Sequence, residues 1–222
     1  MPHIDAFLAL LQAGPPDRSH VFNPWRDHDE RDRAPRRATP ALRRENMRRY
    51  LEARGKSARF LLLGEAPSHR GCRFTGIAFC SEMELVHKRD QVARAPLHLT
   101  SAQSLQKPMR ERSAAVIWDE LERAGCARDV VLWNAFPWHP FGDAATTNRR
   151  PRNTEVEHGR EPLGALLACF THPLQILAVG KVAEEGLRRW PEFQCGGYLR
   201  HPAQGGEALF RAHFRELVAA RL

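Results

Sequence analysis

The sequence predicts an α/β fold, a three-layer α/β/α sandwich around a mostly parallel, four-stranded central sheet. Short apolar runs of strand length, such as RFLLLG at 59–64 and LQILAVG at 174–180, alternate with amphipathic segments. That alternation is typical of a parallel sheet covered by helices. The chain has 222 residues and contains no internal repeat or low-complexity tract. We therefore expect one domain over residues 1–222, with a core at 58–222 and an N-terminal part at 1–57.

The N-terminal part predicts two helices joined by an extended segment. Residues 4–13 form an amphipathic pattern, and residues 14–40 hold five prolines among many charges. Proline density of this kind favours a loop wrapped over the core. Thr39 and Pro40 resemble an N-cap followed by proline at the first helical position, so we expect a helix from there to about Arg54.

The core elements follow from apolar runs and from glycine or proline at their ends. Ser113 to Ala124 is amphipathic and ends at Gly125, which predicts a helix. The predicted strands are 59–64, 129–133, 174–180 and 197–200, and the predicted helices are 82–92, 113–124, 161–171, 181–190 and 207–222.

Charge and cysteine content restrict the class of protein. The formal net charge is +8 with a pI near 9.8, mostly from arginine, which favours a polyanionic partner such as DNA. A solvated basic surface would give the same totals. The cysteine count of five is odd and no CxxC occurs, which argues against a disulfide framework and a zinc ribbon. No apolar run reaches the roughly 18 residues of a membrane helix. We expect a cytosolic monomer with no membrane partner.

The first motif is GEAPSHRG, at Gly64 to Gly71, directly after a predicted strand. Pro67 stiffens the turn, which can direct backbone N–H groups towards a carbonyl oxygen that gains charge as a base leaves. Glu65 is the only carboxylate of the motif and is a candidate for orienting water or balancing charge on the sugar. An ordinary strand-end turn with a surface glutamate is the alternative.

Two side chains after the first motif suit a nucleobase. Phe79 offers a ring for stacking, worth about 1–3 kcal/mol, although a core phenylalanine is the commoner role. Asn134 ends the run VVLWN, and its amide offers the donor and acceptor that match O4 and N3–H of uracil. Cytosine reverses that pattern. The alternative for Asn134 is a turn after a strand. His139, in the same motif, contacts phosphate or caps a turn.

The third motif is RHPAQGG, at Arg200 to Gly206. A neutral His201 can donate a hydrogen bond to O2 of the departing base, although a loop histidine is often incidental. Gln204 and Gly205 form a small tip that could enter the minor groove. Lys181 follows Gly180 at a helix start, where a phosphate is favoured; a solvated lysine is the alternative.

These motifs, in this order and at these strand ends, resemble the uracil-DNA glycosylase superfamily over residues 58–218. The first motif is similar to the GEAPG form of the thermophile-type branch. It also parallels the GQDPYH form, with Gly64, Pro67 and His69 in matching places. The GQDPYH aspartate, which activates water, corresponds to Ala66, and the tyrosine that excludes thymine corresponds to Ser68.

The resemblance implies a base stacked on Phe79, bound at its pairing edge by Asn134 and contacted at O2 by His201. It implies a three-motif site without metal or organic cofactor. GEAPG-type relatives often hold a four-cysteine iron–sulfur cluster, but this chain has no cysteine before Cys72, so we expect none here.

We therefore expect a monofunctional hydrolase that flips out uracil from single- or double-stranded DNA and leaves an abasic site. The alternatives are the same fold acting on hypoxanthine or xanthine, and a weakly catalytic protein that binds lesions or abasic sites. The predicted catalytic residues are Glu65, Asn134 and His201; the base-binding residues are Gly64, Ala66, Pro67, Phe79 and Asn134; the DNA-binding residues are Ser68, His69, His139, Lys181, Arg200, Gln204 and Gly205.

Overall fold

The computed structural model describes Met1, residues 3–103 and residues 105–222. The predicted α/β fold is confirmed, with a four-stranded parallel sheet in the order β3–β2–β5–β6 and a separate two-stranded pair, β1–β4. The strands are β1 (Val21–Phe22), β2 (Phe60–Gly64), β3 (Val130–Asn134), β4 (His139–Pro140), β5 (Gln175–Val179) and β6 (Cys195–Leu199).

The helices surround this sheet, and the later ones pack directly on its strands, α9 on β5 and β6, and α10 on β6. They are α1 (Ile4–Ala13), α2 (Thr39–Glu52), α3 (Cys72–Thr75), α4 (Glu82–His87), α5 (Arg89–Val92), α6 (Arg112–Arg123), α7 (Asn153–Glu157), α8 (Arg160–Leu167), α9 (Lys181–Arg189) and α10 (Glu207–Leu217). Among the residues that the structure describes, no helix has both the length and the apolar character needed to cross a bilayer.

The strand register places the motifs at one edge of the sheet. Strands β2 and β3 are buried along their whole length, as expected for parallel strands covered on both faces. Gly64, the last residue of β2, pairs with Asn134, the last residue of β3. Val179 of β5 pairs with Leu199 of β6. The segments that follow these four strands therefore emerge side by side.

The N-terminal segment packs into the same core as the sheet. Phe22 of β1 pairs antiparallel with His139 of β4. Trp25 is fully buried and stacks on Trp133 of β3, with ring centroids 6.1 Å apart. The side chain of Asn23 fixes the turn before Trp25 by accepting a hydrogen bond from its backbone N–H at 2.9 Å. This segment is thus integral to the structure around β3 and β4.

Two local predictions were wrong in detail. Thr39 is the first residue of α2 and not its N-cap; its hydroxyl lies 2.7 Å from both Asp32 Oδ2 and the Arg36 carbonyl oxygen, which share its one proton. The helix predicted at 82–92 is two short helices separated at Lys88. The Lys88 ammonium forms ion pairs with Asp119 and Glu122 of α6, which holds this break against the longer helix.

Candidate functional site

A cleft of about 580 Å³ opens at the carboxyl edge of the sheet. It is lined by the first motif, by the start of α9 and by the third motif, whereas no residue of the second motif, 131–140, is on its wall. Of the residues singled out in the sequence, those on its wall are Glu65, Ala66, Pro67, Ser68, His69, Phe79, Lys181, Arg200, His201 and Gln204.

Gly64, Phe79 and Asn134 form a tight cluster at this wall. A Cβ on Gly64 would lie 2.1 Å from Phe79 Cζ and 3.0 Å from Asn134 Oδ1, so only glycine fits between ring and amide. Phe79 has a left-handed backbone with φ of 48°, an uncommon conformation for a bulky residue. The Trp118 indole N–H holds that turn by donating to the Phe79 carbonyl at 2.8 Å.

The Asn134 amide is buried with unused hydrogen-bonding capacity. The residue is 2% exposed, and its Oδ1 atom has no hydrogen-bond partner among the described residues. A buried acceptor without a partner costs about 1–3 kcal/mol, so such atoms are few in a folded protein. Asn134 is not on the open wall of the cleft; it lies next to the Phe79 ring, across Gly64.

His201 is held as a neutral hydrogen-bond donor. The backbone N–H of Ala203 donates to His201 Nδ1 at 3.1 Å, so Nδ1 is unprotonated and the ring proton is on Nε2. Burial, aided by the charge of Arg200, lowers the pKa of His201 to about 4. Its ring lies 6.0 Å from the Phe79 ring between centroids. Gly180, at φ of 88°, packs against the His201 side chain, where a Cβ would lie 3.1 Å from His201 Cβ.

Two carboxyl groups face the cleft, and only one was predicted from the sequence. Burial raises the pKa of Glu65, with Arg150 opposing the shift. Glu111 precedes α6, and burial raises its pKa to about 7, with a smaller opposing effect from the Ser68 hydroxyl. Glu111 fits against Gly71, where a Cβ would lie 1.7 Å from Glu111 Oε2. No ion pair of Glu111 occurs among the described residues.

Basic side chains surround the opening of the cleft. Arg112, Arg149 and Arg150 are paired with carboxylates elsewhere. Within the described chain, no carboxylate lies within ion-pair distance of the remaining four lining cations, which are Arg70, Arg110, Lys181 and Arg200. The run Arg110–Glu111–Arg112 was not predicted as part of the site, because nothing local in the sequence indicates that it folds against the first motif.

The prediction that His139 contacts DNA was wrong. Its ring is fully buried between Arg73, whose Nη1 donates to His139 Nδ1 at 2.8 Å, and the 147–148 segment. Burial and the neighbouring Arg73 lower its pKa to about 3, so the ring is neutral. The pairing of β4 with β1 is a long-range contact that the motif itself does not reveal.

The tip of the third motif is exposed, as a DNA-contacting loop requires. Gln204 and Gly205 both have left-handed backbones, at φ of 53° and 75°. Behind them, Gly206 approaches its own loop closely, because a Cβ there would lie 2.0 Å from the His201 carbonyl oxygen.

The cysteines are free thiols, and Cys195 alone is exposed.

The arrangement suits a planar, uncharged ring with a polyanion attached. The cleft brings together an aromatic ring, a neutral imidazole donor and two carboxyls of raised pKa, with a buried amide beneath the ring. Unpaired cations at the rim suit the phosphates of a nucleic acid. Among the described residues, no group of three or more His, Cys, Asp or Glu side chains is arranged to hold a metal ion.

Comparisons with known proteins identify the fold and the family. The crystal structure of wild-type Pedobacter heparinus SMUG2 is similar in fold, with a TM-score of 0.65 over 99% of this chain and 97% of that chain, at 15% sequence identity. A comparison with curated protein sequences gives no significant match. The family model of the uracil DNA glycosylase superfamily matches residues 53–218, well over half of the sequence. The chain therefore belongs to the uracil DNA glycosylase superfamily, a family of DNA glycosylases of base excision repair.

Proposed function

We propose that this glycosylase excises uracil from DNA by hydrolysing the bond between the base and deoxyribose. The observation that carries the proposal is the buried, unpartnered Oδ1 of Asn134, next to the Phe79 ring at the end of two parallel strands. Uracil carries a donor at N3 and an acceptor at O4. An asparagine amide complements both groups at once, with Oδ1 accepting from N3–H and the amide N–H donating to O4.

Base binding requires a movement of Phe79. The ring now packs on Gly64 next to the Asn134 amide, and Phe79 and Asn134 are only 6% and 2% exposed. We propose that a flipped base displaces this ring, stacks against it and brings its pairing edge to Asn134. Stacking contributes about 1–3 kcal/mol and is indifferent to base identity, so discrimination depends on the amide. Cytosine would leave donor facing donor and acceptor facing acceptor.

The chemistry proposed for the site is departure of the uracil anion followed by attack of water. As the glycosidic bond stretches, charge accumulates on uracil O2, and the Nε2–H of neutral His201 stabilises it by donating a hydrogen bond. Glu65 remains the candidate for positioning water at the sugar. Glu111 is a second carboxyl in the same cleft, half-buried and near Ser68.

We propose a monofunctional enzyme, since the first and third motifs contain no lysine. Lys181 is exposed at the start of α9, on the rim of the cleft. An amine nucleophile would form a Schiff base with the sugar, which borohydride reduces to a stable protein–DNA adduct. We expect no such adduct with a uracil-containing oligonucleotide. If an adduct formed with the wild type and not with Lys181→Ala, the proposal of direct hydrolysis would be wrong and Lys181 would be the nucleophile.

A base-release assay tests the proposal. Matched single- and double-stranded oligonucleotides would carry uracil, thymine, cytosine, hypoxanthine or xanthine at one position, and released base would be measured with enzyme in excess. We expect release of uracil in large excess over cytosine. Release restricted to hypoxanthine or xanthine would assign the site to another deaminated base. Tight binding with no release of any base would identify a lesion-binding protein.

A further inference from the structure

A buried chain of hydrogen bonds runs from the N-terminal segment to the cleft. Asp29 accepts from Nε of Arg73 at 3.0 Å, and Arg73 Nη1 donates to His139 Nδ1. All three side chains are at most 6% exposed, and the Arg73 guanidinium stacks on Phe22 of β1 at 3.7 Å. An arginine can only donate, so His139 Nδ1 is unprotonated and the ring carries its proton on Nε2.

The chain ends on the amide of Asn148 and fixes which way that amide faces. The Nε2–H of His139 is shared between the Thr147 carbonyl at 3.1 Å and Asn148 Oδ1 at 3.2 Å, and the backbone N–H of His69 donates to the same Oδ1 at 2.9 Å. A backbone N–H cannot accept, so the atom facing it must be Oδ1 and not Nδ2. Asn148 lines the cleft, and no hydrogen bond of its Nδ2 occurs among the described residues.

His69, by contrast, has no donor left for DNA. Its backbone N–H and its Nδ1 are both directed at Asn148 Oδ1, and its Nε2 accepts from Arg70 Nε at 3.2 Å. Burial lowers the pKa of His69, which favours this neutral ring. The bond to His69 holds the Arg70 side chain at the other ring nitrogen, on the lining of the same cleft as Asn148, and no carboxylate is paired with Arg70 in the described chain.

We infer that Asn148 binds a phosphate oxygen of the DNA backbone through its amide Nδ2, with Arg70 on the same cleft wall, and that Asp29, Arg73 and His139 are positioning residues that hold this amide. The inference rests on the proposed function in that it takes DNA as the substrate. It assigns to Asn148 the phosphate contact that the sequence predicted for His69. It also makes the N-terminal segment a supporting part of the DNA-binding surface, because Asp29, in that segment, is the first member of this series of hydrogen bonds.

The first test measures binding to an oligonucleotide with a tetrahydrofuran abasic-site analogue, which has no base to release. Asn148→Ala should weaken binding about tenfold, because a hydrogen bond to a charged group is lost. Asn148→Asp keeps the acceptor but presents a negative charge to the phosphate, so it should weaken binding more. Thr146→Ala, exposed on the same loop, is the matched control and should bind like the wild type. Wild-type binding by Asn148→Ala would overturn the inference.

The second test identifies the phosphate. Oligonucleotides with a single neutral methylphosphonate would be scanned across the site against the wild type and Asn148→Ala. At one position the substitution should weaken wild-type binding and have no further effect on Asn148→Ala, because both changes remove the same contact. Additive losses at every position would exclude a phosphate contact.

The third test separates positioning from general stability. If His139 acts through Asn148, His139→Ala should weaken binding, and the double variant with Asn148→Ala should bind no worse than Asn148→Ala alone. His139→Gln keeps an amide N–H for Asn148 Oδ1 and should restore part of the binding. Additive losses, or equal losses in both His139 variants, would show that His139 does not position Asn148. If His139→Ala does not fold, the binding of His139→Gln and the methylphosphonate scan test the inference instead. Absent uracil release would refute the proposed function and leave these binding results standing.

Discussion

The two edges of the central sheet both carry a cavity, and the larger one lies away from the motifs. At the amino edge, a cavity of about 770 Å³ is lined by residues that include Arg49, Lys56 and Asp129. At the carboxyl edge, the cleft with the motifs measures about 580 Å³. Cavity size therefore does not identify the functional edge in this protein.

What differs between the edges is how far the buried polar groups are satisfied. Beneath the amino-edge cavity, the fully buried Arg54 donates to five backbone carbonyls, those of Tyr50, Gln91, Val92, Ala127 and Val130. One atom there, Gln91 Oε1, is buried without a partner, but the same amide is bonded through its nitrogen to Glu122. At the carboxyl edge, Asn134, His201 and Glu111 all keep unused donors, acceptors or protons. The comparison indicates that the functional site is the edge at which buried polar groups keep hydrogen-bond donors or acceptors without a partner.

The largest expected effect is at the carboxyl edge. His201→Ala should lower the single-turnover rate of uracil release by about ten- to a thousandfold, because it removes the donor to the departing base. Since the pKa of His201 is about 4, the wild-type rate should show no ionisation of this group between about pH 6 and pH 8. A variant that releases uracil at the wild-type rate would show that the imidazole does not stabilise the leaving group.

Arg54→Met, at the amino edge, should lower stability and leave activity unchanged. It leaves five carbonyls without their donor, and we expect the free energy of unfolding to fall by about 2–4 kcal/mol in urea titrations. DNA binding and the rate of base release at 25 °C should stay at wild-type values. If the rate fell while the protein remained folded, the amino edge would be coupled to the chemistry, and the contrast between the edges would be wrong.

Asn134→Asp is an intermediate change that preserves shape and alters the hydrogen-bonding pattern. The ratio of uracil to cytosine release should fall by about tenfold or more, since a mismatched buried polar group costs about 1–3 kcal/mol. Competition between the two oligonucleotides measures that ratio directly. Unchanged discrimination would mean that the buried Oδ1 does not bind the base.

The smallest effect is expected from Glu111→Gln, in the pH dependence of stability. The pKa of Glu111 is raised to about 7, so between about pH 4.5 and pH 7 the folded protein holds a proton that the unfolded chain has lost. Stability contributed by this group is present below that range and is lost as the pH rises through about 7. The melting temperature of Glu111→Gln relative to wild type should therefore rise by several °C from about pH 5 to pH 8, at about 2–4 °C for each kcal/mol that the wild type loses. The exposed Glu161→Gln is the control, and an equal pH trend in both variants would contradict the assignment.

Much of the site could be predicted because its key residues stand at strand ends. Glu65, Asn134 and His201 follow apolar runs, and parallel strands bring their carboxyl ends to one edge by geometry alone. Glu111 and Asn148 could not be found in this way. Glu111 reaches the site from the segment before α6, and Asn148 from a polar loop whose position depends on contacts with His69 and His139.

The sequence by itself determined the alternation of strands and helices, the order of the motifs and the basic charge, because each depends on local pattern or composition. Only the tertiary structure decided which polar groups are saturated. The strand pairing of the N-terminal segment buries His139, and the close approach at Gly71 encloses Glu111. Hydrogen-bond capacity and pKa depend on neighbours distant in the chain, and no local pattern specifies those neighbours.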